Sequence, residues 1–246
     1  MRAVRARHVI AIGVAAFLAG AVYLAPAGLV GAALGDEGPA RLSGIEGRLW
    51  DGQASLWFDG WPAGRLRWSF DPAGLLDARL RFDWRIQDPG YDLGGQGDVG
   101  FDGTALDATG EVGPILLERT LAPYDIAVGG ALEISRLVVQ ASRDLVPRTV
   151  EGRLHWTGGP VGYRLAGREF RTDLPALDGR IDTVEGEPVL IVRAAGQDVP
   201  LLHVRLDHEG WAHIGITQRF TELVGMPWPG GGPADAVVLE VGEKVL

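Results

Sequence analysis

The chain of 246 residues contains no cysteine and only one lysine, Lys244. Without thiols there is no disulfide framework, no thiolate nucleophile and no metal–sulfur site. Any folded domain therefore rests on its core alone. Basic residues are scarce relative to acidic ones: 23 Lys and Arg stand against 32 Asp and Glu, a net charge of −9. Setting aside Arg2, Arg5 and Arg7 at the N-terminus leaves −12 for the remainder. So acidic a body is repelled by nucleic acid and by anionic lipid surfaces. Charge is also absent from Val9 to Leu34, 26 residues in a row.

That uncharged run follows the three arginines and precedes Asp36 and Glu37. Roughly 20 apolar residues suffice for a helix to cross the hydrocarbon core. The layout predicts a short cytoplasmic N-terminus (1–8), a transmembrane anchor with its exit segment (9–34), and an extracytoplasmic domain (36–246). Arg2, Arg5 and Arg7 set this topology. A cleaved signal peptide is the competing reading, because Ala25-Pro26-Ala27 has an A-x-A shape. Both readings export the domain.

Beyond the run, 37 glycines and 15 prolines disfavour long helices and suit many short strands. Ala78, Leu80, Phe82, Trp84 and Ile86 alternate with Arg79, Arg81, Asp83 and Arg85, the period of a half-buried antiparallel strand. Leu66, Trp68 and Phe70 alternate likewise with Arg65, Arg67 and Ser69. Weaker alternation marks 54–58, 150–156, 161–165, 189–194, 201–206, 211–218 and 236–241. Helix is expected only at 72–76, 114–121 and 221–224. The expected fold is all-β, a curled antiparallel sheet or a sandwich. Glu46-Gly47-Arg48-Leu49-Trp50 is echoed by Glu151-Gly152-Arg153-Leu154-His155-Trp156. Two similar β units are thus a second reading, with their boundary near 123–130.

Candidate chemistry is sparse. His203, His208 and His213 invite a metal reading. If His208-Glu209-Gly210 forms a three-residue hairpin loop, Val204 faces Ile214 and Leu202 faces Ile216. His203 and His213 are then diagonal neighbours roughly 7–8 Å apart, with His208 at the tip. That spread does not make a preformed tetrahedral site. Gly94-Gly95-Gln96-Gly97-Asp98 departs from the calcium-binding β-roll repeat in spacing and occurs once, so it reads as a glycine-rich turn. Asp98, Asp102, Asp107, Asp178 and Asp182 also read as turn residues. The sequence has no Gly-x-Ser-x-Gly elbow, His-Glu-x-x-His pair or phosphate-cradling loop, so no enzyme, metal or cofactor is predicted.

Five of the eight tryptophans lie between Trp50 and Trp84. Trp50, Trp68 and Trp84 fall on apolar faces. Trp57 and Trp61 flank a turn and are candidates for contact with a partner or the membrane interface.

Two segments, Gly47-Arg48-Leu49-Trp50-Asp51-Gly52-Gln53-Ala54 and Trp68-Ser69-Phe70-Asp71-Pro72-Ala73-Gly74-Leu75-Leu76, resemble the type II secretion system protein N family. The residues carrying this are Gly47, Trp50, Gly52, Trp68, Pro72, Leu75 and Leu76, within roughly 44–86. The resemblance implies a non-enzymatic inner-membrane component with a periplasmic β domain. Its implied partners are other inner-membrane or periplasmic secretion proteins; it transfers no catalytic or contact residue and fixes no oligomeric state. The strand pattern equally suits a periplasmic lipid-carrying module, and the two readings diverge on whether the apolar face of the sheet is closed by a second layer.

Overall fold

The computed structural model describes residues 25–34, 40–143, 146–165, 167–230 and 232–245. The expected span over 9–24 and its flanking arginines lie outside them. Among the described residues no helix is long and apolar enough to cross a membrane. The chain divides into two compact units, Met1–Asp88 and Pro89–Leu246.

The first unit holds α1 (Gly28–Leu34), β1 (Ala40–Gly47), β2 (Asp51–Phe58), β3 (Trp61–Asp71), a 3₁₀ turn (Pro72–Asp77) and β4 (Leu80–Asp88). The four strands pair antiparallel in chain order. The strong alternations of the sequence fall in β3 and β4. Ala78, expected to open β4, instead takes a left-handed conformation (φ 54°) and closes the 3₁₀ turn, its N–H reaching back toward Gly74 and Leu75. Ala27, Ala54 and Trp68 are buried together, with Val30, Leu42, Ile45, Leu66 and Phe70 packed around them. Residues 25–34, read from the sequence as the exit from a membrane span, thus belong to this folded unit.

The second unit carries β5 (Tyr91–Gly100), β6 (Gly103–Val112), α2 (Pro114–Leu121), β7 (Ile126–Val128), β8 (Leu132–Ala141), β9 (Pro147–Trp156), β10 (Gly159–Leu165), β11 (Arg168–Leu174), β12 (Leu177–Val184), β13 (Glu187–Ala194), β14 (Pro200–Leu206), β15 (Trp211–Thr217), α3 (Gln218–Leu223) and β16 (Val237–Lys244). Its main sheet runs β5-β6-β8-β9-β12-β13-β14-β15-β16, and β11-β10-β7 form a separate small sheet. Residues 123–130 lie inside this unit, around β7. The two Glu-Gly-Arg-Leu segments differ locally. Gly47 ends a strand at φ 94°, whereas Gly152 sits within β9.

The glycine-rich stretch at 94–98 is strand, not turn. Glycine is required there for close approach: a Cβ on Gly95 would lie 2.1 Å from the Asp107 carbonyl oxygen. The Asp107 carboxylate accepts from the Gln96 N–H at 2.7 Å. Of the five aspartates assigned to turns, only Asp102 occupies one. Asp98, Asp107, Asp178 and Asp182 stand in β5, β6 and β12.

At the junction of β15 and α3, Thr217 is the fixed point. It is fully buried, its hydroxyl accepts from the Phe220 N–H at 3.3 Å, and it lies 2.9 and 3.0 Å from the Pro200 and Leu201 carbonyls to which it donates. One side chain thus caps the helix and ties it to β14. Thr217→Ala should cost about 1–3 kcal/mol, and Thr217→Ser should recover most of it; urea denaturation of the two variants checks this.

Candidate functional site

The sequence motif folds into one corner. Gly47 and Gly52 close the end of the β1–β2 pair. At Gly47 a Cβ would meet the Asp51 carbonyl at 2.6 Å, and at Gly52 one would meet Trp68 Cζ2 at 2.5 Å. The Trp68 ring therefore lies directly on Gly52, its partner across β2 and β3. Its indole N–H donates to the Leu49 carbonyl at 3.1 Å. The Trp50 carbonyl accepts from the Phe70 N–H at 2.6 Å, and the Leu49 N–H donates to Ala25 at 2.8 Å. Residues 25–27 are thus held to the sheet by the backbone of Gly47 and Leu49 and by the packing of Ala27 with Trp68.

Trp84 stands opposite Trp68 but is only half-buried. Its indole nitrogen is buried without a hydrogen-bond partner. Trp84→Phe should therefore shift stability by less than about 1 kcal/mol in either direction, since it removes an unpaired donor while keeping a ring against Trp68. Thermal melts of this variant beside Trp68→Phe, which loses a satisfied bond, would register the difference.

The remaining motif residues face solvent. The Asp71 carboxylate caps the 3₁₀ turn by accepting from the Ala73 N–H at 2.9 Å, and Pro72 fixes its first φ. Gly74 is buried, where a Cβ would come within 2.7 Å of the Arg79 carbonyl. This firmly held turn presents Leu75 and Leu76 outward, 50% and 90% exposed. The turn and the corner share one end of the strands, where residue 25 joins.

Trp57 and Trp61 lie at the opposite end, at the β2–β3 turn, with Phe58 between them. They are 38% and 62% exposed. The Trp57 N–H donates to Ser43 Oγ at 3.0 Å. Eight residues of strand, roughly 26 Å, separate this tip from the end where residue 25 joins.

The histidine hairpin pairs as its sequence suggests: Val204 with Ile214, Leu202 with Ile216, and Gly210 left-handed at φ 83°. His203 faces Gly215 while His213 faces Arg205, so the two are diagonal. His213 Nε2 sits 2.9 Å from Asp207 Oδ2. That hydrogen bond, with the backbone N–H groups of Trp211 and Glu209, holds the Asp207 carboxyl below its ordinary range. The cluster stabilises a turn. Among the described residues no group of three or more His, Asp or Glu side chains is placed to hold a metal ion.

A cavity of about 280 Å³ opens between α2, β7, β10 and β11. Tyr163 and Phe170 stack in its wall at 5.3 Å. Arg164 there is already engaged by Glu169 at 3.1 Å and Asp125 at 3.6 Å.

The main sheet of the second unit has two unlike faces. Ile134, Leu154, Gly179, Val192, Leu202, Ile216 and Leu239 are successive cross-strand partners from β8 to β16. Leu137, Gly152, Ile181, Leu190, Val204, Ile214 and Val241 form the parallel row beside them. No large side chain in either row is buried: the inner ones are half-buried and those of β16 exposed. The other face carries ion pairs such as His155–Asp178 at 2.7 Å and Arg180–Asp182 at 2.6 Å.

With this geometry in view, the family model for type II secretion system protein N matches residues 39–227. The chain belongs to the type II secretion system protein N family. The match extends well past the two motif segments, through β1 to α3 and both units. No curated protein and no solved structure matches it. Family membership ties the chain to type II secretion.

Proposed function

We propose that the chain is a non-catalytic accessory component of a type II secretion system, anchored in the inner membrane through residues 9–24. Its β domain stands in the periplasm and acts by binding other inner-membrane or periplasmic proteins of the machine. The observation that carries this reading is the turn bearing Leu75 and Leu76. Its backbone is capped at both ends, so exposing two leucines costs the fold little flexibility and leaves a preorganised apolar contact beside the point where residue 25 joins. The test is a photo-crosslinking amino acid at position 76 in intact membranes. Capture of a secretion-system protein is expected; a crosslink to lipid alone would contradict the reading.

A second reading is favoured by the two apolar rows, which lie open on a face with no charge before Glu243. On this reading the sheet shields acyl chains of a lipid. Extraction of the purified protein followed by mass spectrometry checks it: stoichiometric phospholipid supports it, and none counts against it.

A further inference from the structure

The main sheet of the second unit ends at β16, whose only described strand partner is β15. Both apolar rows stop there, at Leu239 and Val241, exposed at 46% and 44%. The phase of the backbone is fixed by Val245, whose N–H donates to the Gly210 carbonyl at 2.9 Å, with Trp211 opposite Lys244. Residues 239, 241, 243 and 245 thus turn their backbone groups toward β15, and Glu240, Gly242 and Lys244 turn theirs outward. The irregularity in pairing lies at Ile216/Thr217, before this stretch. From Leu239 to Lys244 there is no proline or bulge to blunt the edge.

We propose that β16 is a self-pairing edge: two copies of this chain join through antiparallel β16 strands centred on Gly242. The register follows from charge. A two-fold axis at residue 240 sets Glu240 against Glu240 of the partner subunit, and one at 243 does the same with Glu243. An axis at 241 leaves Lys244 opposite Val238 of the partner subunit and Glu240 opposite Gly242 of the partner subunit, so it forms no ion pair. At Gly242, Glu240 faces Lys244 of the partner subunit, and Lys244 faces Glu240 of the partner subunit. Leu239 then meets Val245 of the partner subunit, and Val241 meets Glu243 of the partner subunit at the rim. The outward N–H and C=O groups of residues 240, 242 and 244 are all paired in this register. The only lysine of the chain thus sits opposite Glu240 of the partner subunit, and opposite charges across a strand pair favour that alignment.

The absence of cysteine makes the test clean. Gly242 has no left-handed φ, and a Cβ there would meet only Trp211 Cε3 at 3.9 Å, so Gly242→Cys is accommodated. Facing residues in a hydrogen-bonded antiparallel pair have Cα atoms about 5.5 Å apart, within disulfide range. Mild oxidation of the full chain in detergent should give a disulfide-linked dimer for Gly242→Cys. It should give none for Glu240→Cys, whose two copies stand roughly 13 Å apart along the strand. By analytical ultracentrifugation, Lys244→Glu should weaken the dimer by about tenfold or more, and Glu240→Lys with Lys244→Glu should restore it. Equal crosslinking at 240 and 242, failure of the charge swap to restore association, or a monomer at every concentration (with or without bound lipid, or with another protein's strand on β16) would overturn the proposal.

Discussion

Replacing Trp68 by alanine should cost the first unit about 3–5 kcal/mol, enough to unfold a domain of ordinary marginal stability. Trp68 is 6% exposed and is the largest side chain of the buried cluster that includes Ala27 and Ala54. Removing it leaves a void over Gly52 and strips the Leu49 carbonyl of its indole donor. Residues 25–27, held by hydrogen bonds to Gly47 and Leu49, would lose their packing with it. Gly52→Val should be comparably harmful from the other side, because its Cβ would displace the same ring. Since both variants break one contact, the double variant should cost less than the sum by about 1 kcal/mol or more. Urea denaturation of the three variants decides it; strict additivity would mean that ring and glycine do not act together.

The second large effect is functional. Leu75→Asp with Leu76→Asp should leave stability within about 0.5 kcal/mol of the parent, because neither side chain is buried. Burying two leucines against a partner would contribute roughly 3–6 kcal/mol, so their loss should weaken that contact by about a hundredfold or more. Exoproteins should then accumulate in the periplasm although the variant is folded and present at normal level. Unchanged secretion from a stable variant would remove this turn from the binding surface.

These two expectations draw on different depths of sequence information. Strands in which arginine alternates with large apolar residues, β3 and β4, are legible because one face is wet and the other is not. The helix at Pro114–Leu121 is legible as well, announced by its proline at the first position. The glycine-rich β5 is not, because at Gly95 the close backbone approach to Asp107 sets the residue rather than a side-chain pattern. In β1 and β8 the alternation is broken by register shifts at Ser43/Glu46 and Ile134/Arg136, which move apolar residues out of phase. At the candidate site, the motif residues stand out in the sequence, but their division of labour does not. Gly52 meets Trp68 only through strand pairing, a tertiary fact. Leu75 and Leu76 continue a hydrophobic-looking run and would pass for core; a single 3₁₀ turn, capped by Asp71 and ended by left-handed Ala78, turns them to solvent.

The most direct test of the account is the distribution of exoproteins between medium and periplasm in a strain deleted for this chain. Retention in the periplasm is expected, relieved by the intact chain and not by the Leu75→Asp, Leu76→Asp variant; normal export from the deletion strain would contradict a role for this chain in secretion.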